Sequence, residues 1–174
     1  MKTYKIITTG LSLAELKVKY KDLFYNQSWY ESEKFYTKKP EAGTYEFSFD
    51  RDLCNKTYEE QLKKLPKDFK PVHPAIITEA LIIHFKETGE RLLENWYVRT
   101  NTLVSGGDRV CIGYFGAEGL GVDRYWGDYQ SDYIGVSAAR KLDPCSLETP
   151  DSSESLKLEY CECKRCPKCN KFIR

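Results

Sequence analysis

Apolar residues at Leu13, Leu16, Tyr20, Leu23 and Phe24, with Lys17, Lys19 and Lys21 between them, recur at helical spacing and predict a first helix over 13–25. Ser12-Leu13-Ala14-Glu15 supplies its start, because the serine hydroxyl can accept from the backbone N–H three residues on while the glutamate reaches back. An aromatic, charged stretch with Trp29, Tyr30, Phe35 and Tyr36 runs to Pro40. After Gly43, the aromatics Tyr45, Phe47 and Phe49 alternate with Glu46 and Ser48, the period-two signature of a strand. Thr57-Tyr58-Glu59-Glu60 is a second capping box, opening a short helix that Pro66 closes. Pro74 suits a helix's first turn. The run from Ala75 to Phe85 is apolar almost all round, so this helix is expected at the centre of the core, with Gly89 as its C-cap.

Beyond Gly89 the pattern changes to strands. Residues 92–103 are rich in Trp, Tyr, Val and Thr, Ser105-Gly106-Gly107-Asp108 is a turn, and Arg109 to Phe115 follows as the return strand of a hairpin. Gly116, Gly119 and Gly121 punctuate a further turn into Val122–Trp126, and Tyr133–Val136 runs into Ser137–Leu142. Helices first and a strand meander afterwards predict an α+β fold, with N-terminal helices on one face of a mainly antiparallel sheet. Residues 1–142 read as that globular domain. Residues 143–155, with two prolines, four serines and four acids, read as a linker, and 156–174 as a cysteine-rich tail.

Composition narrows the function classes. With 27 basic and 26 acidic residues the net charge is +1, which argues against a protein drawn to nucleic acid by its global field. No apolar run approaches the ~20 residues of a membrane span, and the basic start Met1–Ile7 meets polar Thr8, Thr9 and Gly10 instead of a signal-peptide core. Seven cysteines without an export signal point to a reducing, cytoplasmic setting. Thirteen tyrosines make the chain aromatic-rich. Tyrosine serves strand faces as readily as contact surfaces.

Three stretches carry a resemblance. Thr88 to Thr100 (TGERLLENWYVRT), together with Gly119-Leu120-Gly121-Val122 and Ser137-Ala138-Ala139-Arg140-Lys141, resembles a family of small uncharacterised bacterial proteins frequent in candidate-phyla genomes. The likeness covers roughly residues 10–142 and leaves out the tail. It implies no activity, ligand or catalytic residue.

The tail is where the sequence speaks of chemistry. Cys161, Cys163, Cys166 and Cys169 fall within nine residues. Cys166-Pro167-Lys168-Cys169 has the spacing of a zinc knuckle, where backbone N–H groups point at sulfurs that reach one ion. Cys161-x-Cys163 is a cramped second half. One Zn²⁺ held by the loop, or shared between two chains as a dimer clasp, is the expectation. An iron–sulfur cluster on Cys163, Cys166 and Cys169 ranks below it, since such runs place a fourth cysteine downstream. The plainer use is a tail of free thiols. Lys164, Arg165, Lys168, Lys171 and Arg174 offset the charge of a thiolate-bound zinc and offer a contact to phosphates of nucleic acid. Cys145 stands as an extra ligand, while Cys54 and Cys111 read as core or loop thiols.

The strand region offers a second candidate. Trp96, Arg99, Arg109, Arg124, Trp126 and Arg140 form an expected binding surface, with Tyr97, Tyr125, Tyr129 and Tyr133 beside the arginines. Guanidinium groups next to aromatic faces suit base stacking or peptide docking, and suit sheet packing equally. Asp123, Asp128 and Asp132 could converge to hold Mg²⁺ for chemistry on phosphate esters, although turn-capping and surface ion pairs are their ordinary use. His73, before Pro74, is expected at a helix start, and His84 within the apolar helix, both as satisfied structural residues. The resulting expectation is a non-catalytic binding or regulatory module for a protein partner or its own copy. A metal-dependent phosphoesterase and a thiol- or metal-responsive switch are the alternatives.

Overall fold

The computed structural model describes residues 2–143, and the residues up to Lys141 form one compact unit. The four tail cysteines, Cys145 and all of the linker but Asp143 lie outside the described residues.

The chain begins with a strand, β1 (Thr3–Thr8), in which Tyr4, Ile6 and Thr8 turn inward and Thr3, Lys5 and Ile7 outward. Helix α1 (Leu13–Lys19) follows behind the capping box at Ser12 and Glu15, where Ser12 N–H and hydroxyl donate to the Glu15 carboxylate at 2.9 Å. The helix ends six residues before the expected Tyr25. A short 3-10 turn (Lys21–Leu23) succeeds it, and Phe24 then pairs with Leu120 across the molecule, with Tyr25 N–H donating to Leu120 O at 3.0 Å. Tertiary pairing overrides the helical spacing there. One turn of helix, α2 (Lys34–Thr37), precedes strand β2 (Gly43–Ser48).

The second capping box holds, at Thr57 and Glu60, and opens α3 (Tyr58–Lys64). Helix α4 (Pro74–Thr88) is the centre of the core as the apolar run predicts: residues 74–82 are all buried. It ends on Gly89 at φ 74°, whose N–H returns to Phe85 O at 2.8 Å. Among the buried residues of α4 stands Glu79, which accepts from the backbone N–H of Thr9 at 3.0 Å and from its hydroxyl, tying the end of β1 to the helix.

Five further strands complete the body: β3 (Tyr97–Leu103), β4 (Arg109–Gly116), β5 (Gly119–Tyr125), β6 (Ile134–Val136) and β7 (Ala138–Leu142). The expectation of one sheet is corrected to two. Strands β1, β2 and β7 form a three-stranded sheet in that order, and β5, β4, β3 and β6 a four-stranded one. The pairs β1–β2, β3–β4 and β4–β5 are antiparallel, while β6 joins β3 in parallel. Helix α4 packs against β1 of the first sheet and against β3 and β4 of the second, so it is buried between them rather than laid on one face. The second sheet gives Val98, Val110, Ile112 and Val122 to this core. Its other face is the one that carries Tyr97, Arg99, Arg109, Cys111, Asp123 and Tyr125. No helix among the described residues is long and apolar enough to cross a membrane.

Candidate functional site

On the outer face of the four-stranded sheet, two glycines make room for a tyrosine ring. Tyr97, Gly113 and Gly121 lie side by side across β3, β4 and β5. With no side chain on either glycine, the Tyr97 ring lies down across both strands. Its hydroxyl stands 2.8 Å from where a Cβ on Gly121 would be, and a Cβ on Gly113 would collide with the Trp96 carbonyl. Close approach of backbone demands glycine at 113, while a side chain at 121 would displace the Tyr97 ring.

Next to this ring the β4–β5 register shifts between Gly113 and Gly116. Tyr114 sits in that irregularity at φ 46°, a left-handed conformation that costs a non-glycine residue about 1–2 kcal/mol. Its N–H donates to Trp96 O at 3.0 Å, its ring centroid lies 4.8 Å from that of Tyr97, and 42 % of the residue is exposed. Leu93, at φ 58° on the facing loop, accepts from Phe115 N–H at 3.1 Å. Gly119, at φ 110°, clears the way for a third tyrosine: a Cβ there would stand 2.6 Å from Tyr25 N. The pairing of Phe24 with Leu120 thus brings exposed Tyr25 to the same place, and Gln27 Nε2 fixes the segment on Val122 O at 2.7 Å.

These elements enclose a cleft of about 510 Å³, a volume in the range of ligand sites. Tyr25, Tyr97 and Tyr114 line it, and every charged residue of its lining is acidic: Glu94, Glu118 and Asp123. Glu94 and Glu118 are exposed. The Asp123 carboxylate is held in place by Arg124 N–H at 2.8 Å and Tyr125 hydroxyl at 3.0 Å. Burial foremost, and then the Asp123 charge, pushes the Tyr97 and Tyr125 phenols well above the usual range, so both rings stay neutral at physiological pH.

An aromatic strip continues from the cleft along the sheet. Tyr97 meets Tyr125 at 6.1 Å, Tyr125 stacks on Tyr129 at 5.3 Å and 7°, and Trp126, 57 % exposed, packs on Tyr129 at 4.8 Å. Arg99 holds this strip in position. Its guanidinium is fully buried and donates to the Gln61 amide oxygen at 3.0 Å, to Lys56 O at 3.3 Å and to Tyr129 O. A cation takes carbonyls in this way when it serves as the clamp between α3 and the 126–131 loop.

The six residues expected as one binding surface are therefore not gathered into one. Arg99 is interior, and Trp96 is buried with the Arg51 guanidinium over it at 5.7 Å. Arg109 lies over the Tyr58 ring at 3.6 Å. Arg124 is on the opposite face from Arg109, over Trp29 at 5.1 Å. Arg140 belongs to the other sheet, where it donates to Glu46 at 2.6 Å and covers Phe69 at 5.3 Å. Of the six, Trp126 alone forms part of the strip beside the cleft. Asp123, Asp128 and Asp132 do not converge either: among the described residues no three His, Cys, Asp or Glu side chains come together in a way that could hold a metal ion.

His73 caps α4, its Nδ1 accepting from Ala75 N–H at 3.3 Å, and burial foremost, with Lys38 adding to it, lowers its pKa to about 4. His84 sits 3.2 Å from the Glu90 carboxylate and edge-on to Tyr4. Cys54 and Cys111 are buried free thiols, and burial raises the pKa of each. The cleft itself was missed from sequence. Its signal was the pairing of tyrosines with glycines at strand positions facing one way, Tyr97 opposite Gly113 and Gly113 opposite Gly121, which reads as room for a ring only once the register is known. No family model, curated protein or solved structure matches this chain.

Proposed function

We propose that this chain is a non-catalytic binding or regulatory module for a protein partner. Its contact surface is the tyrosine-lined cleft and the aromatic strip that continues from it. One observation carries the reading: Tyr114 is held in a strained left-handed conformation and exposed at the mouth of a cleft floored by the Tyr97 ring. Backbone strain and exposed aromatic area both work against stability, and they persist together where a surface is used. Tyrosine adds contact area at low entropic cost, because only two torsions are ordered on binding.

The test is an NMR screen of the ¹⁵N-labelled full-length chain with a panel of small cationic, neutral and anionic fragments. Shifts concentrated on the amides of Gly116, Gly119 and Gly121 support the reading. Fragments that map elsewhere on the body, or nowhere, contradict it.

The tail belongs to the same proposal as an accessory: Cys161, Cys163, Cys166 and Cys169 hold one Zn²⁺ per one or two chains. Four thiols at knuckle-like spacing, with five cations interspersed and following, are what support this. Elemental analysis of native protein checks it. Zinc that is lost in a Cys166→Ser/Cys169→Ser variant is the expected result, and metal-free protein with four titratable tail thiols is the contrary one.

A further inference from the structure

Several buried or half-buried aromatic rings of this molecule have a cation of their own. Arg109 covers Tyr58, Arg124 covers Trp29, Arg140 covers Phe69, Arg91 covers Phe115, and Lys17 covers Tyr30 at 4.9 Å. The rings of the cleft and strip differ. Among the described residues no Lys or Arg lies over Tyr25, Tyr97, Tyr114, Tyr125, Trp126 or Tyr129. The same cleft has three carboxylates and no basic residue in its lining, in a chain with 27 basic residues.

We infer that the cleft takes the cationic side chain of an arginine or lysine from a protein partner, whose flanking residues lie along the Tyr125–Trp126 strip. The inference rests on the binding-module reading and names what is bound. Neutral tyrosine faces attract a cation through the ring quadrupole. Carboxylates at Glu94, Glu118 and Asp123 accept from its N–H groups, and charge-assisted bonds of this kind are the stronger class. That acceptor set favours an ammonium or guanidinium with protons to give over a quaternary amine without them. The Tyr97 ring, lying over the two glycines, is the floor of the cleft and offers its open face to a long side chain. A protein side chain fits better than a free small cation because the aromatic strip extends past the cleft, with Trp126 still 57 % exposed. A lone cation cannot reach that surface.

The probes are acetyl-Ala-Leu-Arg-Leu-Ala-amide, its lysine and citrulline counterparts, and agmatine, each titrated into the ¹⁵N-labelled full-length chain. The arginine and lysine peptides are expected to shift the amides of Gly116, Gly119 and Gly121 and to bind about tenfold more tightly than the citrulline peptide. The advantage should shrink as salt is raised through 0.5 M. Trp126→Ala should weaken the peptides and leave agmatine unchanged. Equal binding of the citrulline peptide at the cleft overturns the cation and leaves the binding-module reading in place. Agmatine binding as tightly as the arginine peptide overturns the protein side chain in favour of a small amine. Absence of cleft shifts with every probe, and with the neutral and anionic fragments as well, overturns both.

Discussion

Arg99 is the residue whose role changed most between sequence and structure. As one of several arginines beside aromatics it reads as a contact residue. Its burial follows from facing the same way as Val136 and Tyr97 in register, beneath α3 and the 126–131 loop. Its removal leaves Gln61 Oε1 and the carbonyls of Lys56 and Tyr129 without donors. Arg99→Leu should therefore lower stability by about 3 kcal/mol in urea denaturation. A loss under 1 kcal/mol would show that the clamp is replaceable. His73 makes a second prediction, in pH. Its folded pKa of about 4 lies below the ordinary 6.5, so the unfolded chain binds the proton first. Stability should fall as pH drops from about 6.5 towards 4, and stay reduced below. In His73→Asn, which keeps a capping side chain, the loss between pH 7 and 5 should be smaller, as read from urea midpoints. Equal slopes would remove the buried imidazole as the cause. The capping role of His73 was legible in the sequence, since it stands directly before Pro74. Its burial was not, because that depends on which elements close over it.

At the scale of elements, local signals survived where local chemistry decides. Both capping boxes, the all-round apolar α4 and its Gly89 terminus, and the glycine-turned strands after residue 97 were legible because each is set by neighbours in the chain. Two elements were not. Strand β1 is six residues of Thr, Tyr, Lys and Ile whose alternation is visible only once Tyr4 and Ile6 are known to face a core. Helix α1 stops short because Phe24 and Tyr25 have a distant partner at Leu120, and spacing cannot report that. The same pairing makes an element-scale prediction. Gly119→Ala would set a Cβ 2.5 Å from Phe24 C and 2.6 Å from Tyr25 N, at a backbone φ of 110°. The variant should lose about 2 kcal/mol or more and release the 24–27 segment, seen as faster amide exchange at Tyr25 than in the parent chain. Unchanged protection of Tyr25 would mean that Gly119 is not what admits it.

For the whole molecule, the α+β class was legible from the order of periodicities, while the number of sheets was not. β1, β2 and β7 come from both ends of the body, and that closure leaves no local mark. It decides the architecture, for it places α4 between two sheets and leaves the outer face of the second sheet to carry the tyrosines. The central claim is that this outer face binds through its cleft rather than merely packing. The most direct measurement is the dissociation constant of the arginine peptide for the parent chain and for Tyr114→Ala, with the urea midpoint of each recorded alongside. The account predicts binding weakened about tenfold while the midpoint moves little, since Tyr114 is exposed and contributes contact area to the ligand more than to the fold. An unchanged dissociation constant, with a midpoint lowered as for a core residue, would contradict it.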